Sequence, residues 1–149
     1  LAASKPHMSF LYEGRVFTRP RFLTSARIAG CHIENSLITE GSVIGGGEIK
    51  NSTVGLRSIV GKGCKISKSV LMGADYYEGS SLPKGVIKIG IGDGSIVENA
   101  IIDKNARIGK NVVIKNLNNL KNYDGDCYFI RDGIVVIPKN ATIKDGTKI

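Results

Sequence analysis

The chain has 149 residues, enough for one domain with a sizeable core and too few to expect a second. Its 21 basic and 13 acidic residues leave a net charge of +8, but Trp is absent and the few Tyr and Phe fall outside the regular repeat, which argues against the aromatic stacking that nucleic-acid binding usually adds to charge. No stretch approaches the roughly 18 consecutive apolar residues of a membrane span and no charged-then-apolar leader opens the chain; a soluble protein with no nucleic-acid or membrane partner is expected.

Residues 1–27 carry no regular period, and Thr18-Arg19-Pro20-Arg21-Phe22-Leu23 reads as an extended, proline-stiffened connector. The chain opens on Leu1-Ala2-Ala3 and not on methionine, which suggests either a cut-out domain or a processed product. From Ile28 an aliphatic residue returns every five or six positions: Ile28, Ile33, Ile38, Ile44, Ile49, Val54, Val60, Ile66 and Leu71. Neither a helical period of 3.6 nor a strand period of 2 sustains that spacing, whereas a hexapeptide solenoid does, because each short side of a triangular coil points one aliphatic inward. The expected fold over 28–149 is therefore all-β, a left-handed parallel β-helix with aliphatics stacked coil upon coil at strand spacing. Glycine often follows the inward residue, as in Ile44-Gly45, Val54-Gly55, Val60-Gly61, Ile91-Gly92 and Ile108-Gly109, and is expected to free the backbone at the corners. Ser42, Ser58, Cys64, Ser95, Ala106 and Val112 are small enough to fill the interior beside the aliphatic stack.

The period breaks over about 75–88, a loop carrying Tyr76-Tyr77-Glu78, and resumes at Ile91, Val97, Ile102, Ile108 and Ile114. It breaks again over about 116–132, an asparagine-rich stretch whose end, Cys127-Tyr128-Phe129-Ile130, reads as one strand or an edge segment, and returns at Ile137, Ile143 and Ile149. Two loop insertions in one solenoid are thus expected, and solenoid insertions commonly gather on one face to meet partners. Packing within the chain is the default for Tyr76 and Tyr77, with a subunit interface as the alternative. Cys31, Cys64 and Cys127 are odd in number and in no metal-ligand spacing, so reduced structural thiols are expected and no metal site.

The fold alone does not name a function. A hexapeptide acyltransferase acting on a sugar nucleotide would need a histidine as general base beside a cofactor groove. Only His7, in the irregular leader, and His32, just before inward Ile33, are present, and a surface or packed histidine is the commoner reading of each. A zinc carbonic anhydrase of this fold would need three histidines. The Gly45-Gly46-Gly47 run fits a coil corner and is not followed by a helix, which argues against a phosphate-cradling loop.

Several stretches carry more specific information: Val54-Gly55-Leu56-Arg57-Ser58, Met72-Gly73-Ala74-Asp75-Tyr76-Tyr77-Glu78, Ile101-Ile102-Asp103-Lys104-Asn105-Ala106-Arg107-Ile108-Gly109, and Tyr128-Phe129-Ile130-Arg131-Asp132-Gly133-Ile134-Val135-Val136 with Lys139-Asn140-Ala141. With the 18–23 connector they resemble the C-terminal domain of the ADP-glucose pyrophosphorylase (glucose-1-phosphate adenylyltransferase) family, of plant and cyanobacterial type, over nearly the whole chain. Met72 to Glu78 lies outside the repeat and so identifies the family best. The resemblance implies a regulatory and oligomerisation domain of an enzyme that makes ADP-glucose from ATP and glucose 1-phosphate for starch or glycogen. The family's catalytic residues and its magnesium belong to a nucleotide-binding domain absent here, so no catalytic residue and no cofactor is expected in this chain. Its N-terminal catalytic domain and other subunits, as a tetramer, are the implied partners, in a plastid stroma or a bacterial cytoplasm.

In that family two lysines help bind 3-phosphoglycerate as activator and phosphate as inhibitor, and they map onto Lys104 and Lys139. Independently, Lys104 stands two residues after inward Ile102 and Lys139 two after inward Ile137, the same corner phase. Should the second insertion loop out without rotating the stack, their ammonium groups would lie on one edge, close enough to share a doubly charged phosphate. Spacing alone equally allows solvated corner lysines like Lys62 and Lys110. Exposed charge pairs are individually weak, so arginines of the catalytic domain are expected to close the site, with Asp103 a lesser member that orients a neighbouring cation.

Overall fold

The computed structural model describes residues 19–79 and 81–149. Residues 1–18 of the expected linker, His7 included, lie outside the described residues; Arg19 to Ala26 hold no strand. From Arg27 onward the chain winds through strands of two to four residues, with no helix among the described residues. They form three sheets. The first stacks Arg27–Ile28 (β1), Val43–Ile44 (β4), Ile59–Val60 (β7), Gly90–Ile91 (β10), Arg107–Ile108 (β13) and Thr142–Ile143 (β18), numbered in chain order. The second stacks Cys31–Glu34 (β2), Gly47–Lys50 (β5), Cys64–Ser67 (β8), Ile96–Glu98 (β11) and Val113–Ile114 (β14). The third stacks Leu37–Ile38 (β3), Thr53–Val54 (β6), Val70–Leu71 (β9), Ala100–Ile102 (β12) and Ile134–Ile137 (β17).

Every pairing among these strands is parallel, and the register sets the sequence's aliphatics above one another. Ile28, Ile44, Val60, Ile91, Ile108 and Ile143 form one column. Ile33, Ile49, Ile66, Val97 and Ile114 form the second. Ile38, Val54, Leu71, Ile102 and Ile137 form the third. From Ile44 onward these side chains are buried in one continuous core, whereas Ile28 is 43% exposed because the first coil has a stacked neighbour on one side only among the described residues. Each fully buried aliphatic contributes about 1.5 to 3 kcal/mol, so the stack supplies most of the stabilisation.

One expectation about the corners needs correction. None of Gly45, Gly55, Gly61, Gly92 and Gly109 has a positive φ; the left-handed conformation falls instead on residues such as Asn51, Asn99, Asn105, Asn111 and Asn140. Asparagine tolerates that region because its short side chain bonds locally. Gly55, Gly61, Gly92 and Gly109 are required by close approach: a Cβ on Gly55 would lie 2.5 Å from the Met72 carbonyl oxygen, and one on Gly92 would collide with the backbone of Gly109, whereas at Gly45 the nearest atoms would be 3.3 Å away. Ser42, Ser58, Cys64, Ser95, Ala106 and Val112 are buried as expected, and a separate set of serines carries backbone bonds. The Ser52 N–H donates to Ser36 Oγ (3.1 Å), Ser69 N–H to Ser52 Oγ (3.1 Å) and Ala100 N–H to Ser69 Oγ (3.2 Å), a hydroxyl ladder that satisfies one backbone donor per coil.

The first insertion runs from the end of β9 to β10 with no strand among its described residues and is pinned to the solenoid. Glu78 accepts from the Ile89 N–H (2.7 Å) and pairs with Arg107 (2.5 Å), and the Tyr77 hydroxyl donates to the Gly41 carbonyl (2.8 Å). Tyr77 is therefore tied to the chain by its hydroxyl, although it and Tyr76 are both about half exposed. The second insertion is more ordered than expected. It holds two strands, Asn122–Asp124 (β15) and Phe129–Arg131 (β16), which pair antiparallel and extend the third sheet beyond β17. Asp132-Gly133, both at positive φ, turns β16 tightly into β17 with Arg131 opposite Ile134, a two-residue hairpin connection. Ile130 is thereby buried against the core.

Candidate anion site at a solenoid corner

The corner following the third sheet is where charge concentrates. Because Ile102 is in register with Ile137, Lys104 and Lys139 stand on adjacent coils, and the Asn140 N–H donates to the Lys104 carbonyl (3.0 Å). Like charges so stacked, about 4.8 Å apart in the hydrogen-bonding direction, repel. Asp75, from the first insertion, lies between them: Lys104 Nζ donates to its Oδ1 (3.0 Å) and Lys139 Nζ reaches Oδ2 (2.8 Å). The second insertion thus leaves the stack unrotated and the two ammonium groups converge.

Asn105 holds Asp75 in place. It is 5% exposed and in the left-handed conformation, its Oδ1 accepts the Asp75 N–H (2.8 Å), and its Nδ2 donates to Asp75 Oδ2 (3.1 Å) and to Asn140 Oδ1 (3.2 Å). Hydrogen bonds from Lys139 and then Lys104 hold the Asp75 carboxyl well below the usual carboxylate range, and Asp75 in turn pushes the Lys139 ammonium above its ordinary value. Asp103 accepts the backbone N–H of Lys104 (2.6 Å) and adds to the field that favours charged Lys139.

Beside this cluster Arg19, Arg21 and Arg57 line an open groove of about 460 Å³ together with Asp75 and Lys104. Arg57 spans from the Ala74 carbonyl (3.3 Å) to the face of the Tyr77 ring, 5.8 Å from its centroid. Five cations therefore surround two carboxylates at a surface that is open to solvent, an arrangement suited to holding a multiply charged anion by electrostatics and not to covalent chemistry. Among the described residues no three His, Cys, Asp or Glu side chains gather in a manner that could hold a metal ion.

The sequence had singled out Lys104, Lys139 and Asp103, and the structure brings all three to this corner. It had not assigned Asp75, Asn105 or Arg57 to the site. Asn105 and Asn140 share a phase, three residues after Ile102 and Ile137, and Arg57 stands three after Val54, which is the signal that could have found them. The expectation of arginines from elsewhere overlooked those of the chain itself. His32 projects from β2, its side chain 66% exposed and 3.7 Å from Glu34, and does not line the groove. Cys64 is buried, Cys31 half-buried and Cys127 exposed, each a free thiol.

A family described as the GLGC left-handed parallel β-helix domain matches residues 21–148. The chloroplastic/amyloplastic small subunit of glucose-1-phosphate adenylyltransferase from Triticum aestivum is 43% identical over 155 residues, an alignment covering 97% of this chain and 33% of that relative. The chain thus spans about a third of the length of the curated relative it matches.

Proposed function

The chain belongs to the GLGC left-handed parallel β-helix domain family, and from that premise we propose that it is the C-terminal regulatory and assembly part of a glucose-1-phosphate adenylyltransferase. The parent enzyme makes ADP-glucose and diphosphate from ATP and glucose 1-phosphate, and the β-helix contributes no group to that chemistry. Magnesium and the catalytic residues belong to the nucleotide-binding part of the parent. What this chain contributes is a site for a phosphate-bearing effector at Lys104 and Lys139.

The observation that carries this reading is the convergence of both ammonium groups on the two oxygens of one carboxylate, at 3.0 and 2.8 Å. Two cations that can grip one carboxylate can grip one phosphate, and lysine serves as a point charge able to engage several of its oxygens. Arg19 and Arg21 lie on the linker side of the groove, so an anion there would be shared between the β-helix and the segment toward the catalytic part. Binding that favours one arrangement of those two parts over another is how an anion at the corner would change turnover elsewhere. The relative's description as a small subunit supports partner subunits, which we take to complete a tetramer, and its chloroplastic/amyloplastic description supports the plastid stroma as the setting. The acyltransferase alternative has no comparable support, since His32 is paired with Glu34 on an outer strand.

The test is the response of the full-length parent enzyme to 3-phosphoglycerate and inorganic phosphate in wild type, Lys104→Ala and Lys139→Ala. Both substitutions are expected to weaken activation and inhibition by about tenfold while basal adenylyl transfer persists. Unaltered responses would leave the domain an assembly scaffold.

A further inference from the structure

We propose that Asp75 is the specificity-determining residue of this site: a tethered carboxylate that an incoming anion must displace from Lys104 and Lys139, so that dianions bind and monoanions do not. The inference rests on the reading that the two lysines hold an effector anion, and adds what that anion has to be.

Asp75 already makes the contacts an anion would make, one oxygen to each ammonium. A free monoanion such as nitrate would replace it charge for charge, losing translational freedom that a tethered group has already given up. A dianion such as hydrogen phosphate or a phosphate monoester brings one more negative charge to the same two cations, with Arg57 also lining the groove. Displacement is feasible because the Asp75 side chain is 37% exposed and would move into water without becoming a buried unpaired charge. Its backbone need not follow, since the Asp75 N–H stays bound to Asn105 Oδ1 (2.8 Å), and Asn105 keeps its second anchor on Asn140. The carboxylate can therefore swing while the loop remains seated. Its structural role, relieving repulsion between stacked lysines, is the same interaction; an entering dianion takes over that role.

The experiment is equilibrium dialysis of labelled inorganic phosphate with the full-length parent enzyme at about pH 8, where phosphate is dianionic, with sulfate or nitrate as competitor. Wild type is expected to lose phosphate to sulfate and to ignore nitrate. Asp75→Asn, isosteric and uncharged, is expected to bind phosphate about 2- to 30-fold tighter and to let nitrate compete. Asp75→Glu keeps the charge and should still exclude nitrate; Asp75→Ser carries the same expectation as the asparagine variant should the latter fail to fold. Unchanged or weaker phosphate binding in Asp75→Asn, with Lys139→Ala weakened, overturns this inference alone. Unchanged binding in Lys139→Ala overturns the effector site itself and this inference with it.

Discussion

Asp75 shows how one side chain couples local stability to charge. Its carboxyl is depressed in the folded chain by Lys139 and Lys104, so its contribution is complete above the unfolded value of about 3.9 and drains away as pH falls below it. Urea midpoints recorded between about pH 7 and pH 3 should accordingly fall less steeply for Asp75→Asn than for wild type; parallel acid limbs would mean the lysines do not act on it. Lys139 shifts the other way, so its contribution persists until pH rises through and beyond about 10.4. Glycine offers a second residue-scale contrast. Gly92→Ala must push against the Gly109 backbone and should cost about 1 to 3 kcal/mol, while Gly79→Ala, with nothing within 4 Å, should stay within about 0.5 kcal/mol in the same denaturation assay. Equal midpoints for the two would refute close approach as the reason for glycine at these corners.

At the scale of elements, legibility followed the period. Ile44 through Ile149 could be placed because a residue that points inward at every coil side leaves a spacing no helix or plain strand imitates. The phase of Lys104 and Lys139 was legible for the same reason, since position along a coil side follows from counting to the inward residue. Asp75 was not, because it belongs to an insertion whose path is set by contacts such as Glu78 with Arg107 and Tyr77 with Gly41, not by periodicity. The β16–β17 hairpin was half legible: Cys127 to Ile130 reads as a strand, while Asp132-Gly133 between Arg131 and Ile134 is the hairpin signal that turns it into β17. That hairpin is part of the core. Ile130→Ala should cost about 2 to 5 kcal/mol, close to the loss from an aliphatic of the coils themselves, whereas a detached loop would lose almost nothing.

Across the whole molecule, each coil touches only its neighbours, so a solenoid holds its corners in fixed register over long distances and moves little within itself. A regulatory signal arising at such a corner must pass outward to whatever the corner faces. Here the corner faces a groove that includes Arg19 and Arg21, on the N-terminal side of the β-helix. Part of the positive surplus of the chain, diffuse when read as +8 over 149 residues, is local: five cations gather at one edge with two carboxylates. Lys62 and Lys110 are the natural comparison. They occupy corners too, but their backbone N–H groups are capped by Asp93 (2.8 Å) and Asp145 (2.9 Å), and neither ammonium joins the Asp75 cluster. The most direct measurement is therefore the dissociation constant of inorganic phosphate for the full-length parent protein, comparing Lys139→Ala with Lys110→Ala, which remove the same formal charge from two different corners. Affinity about tenfold weaker in Lys139→Ala alone is the expected result, and equal affinities in the two variants would contradict an effector site at the Lys104 and Lys139 corner.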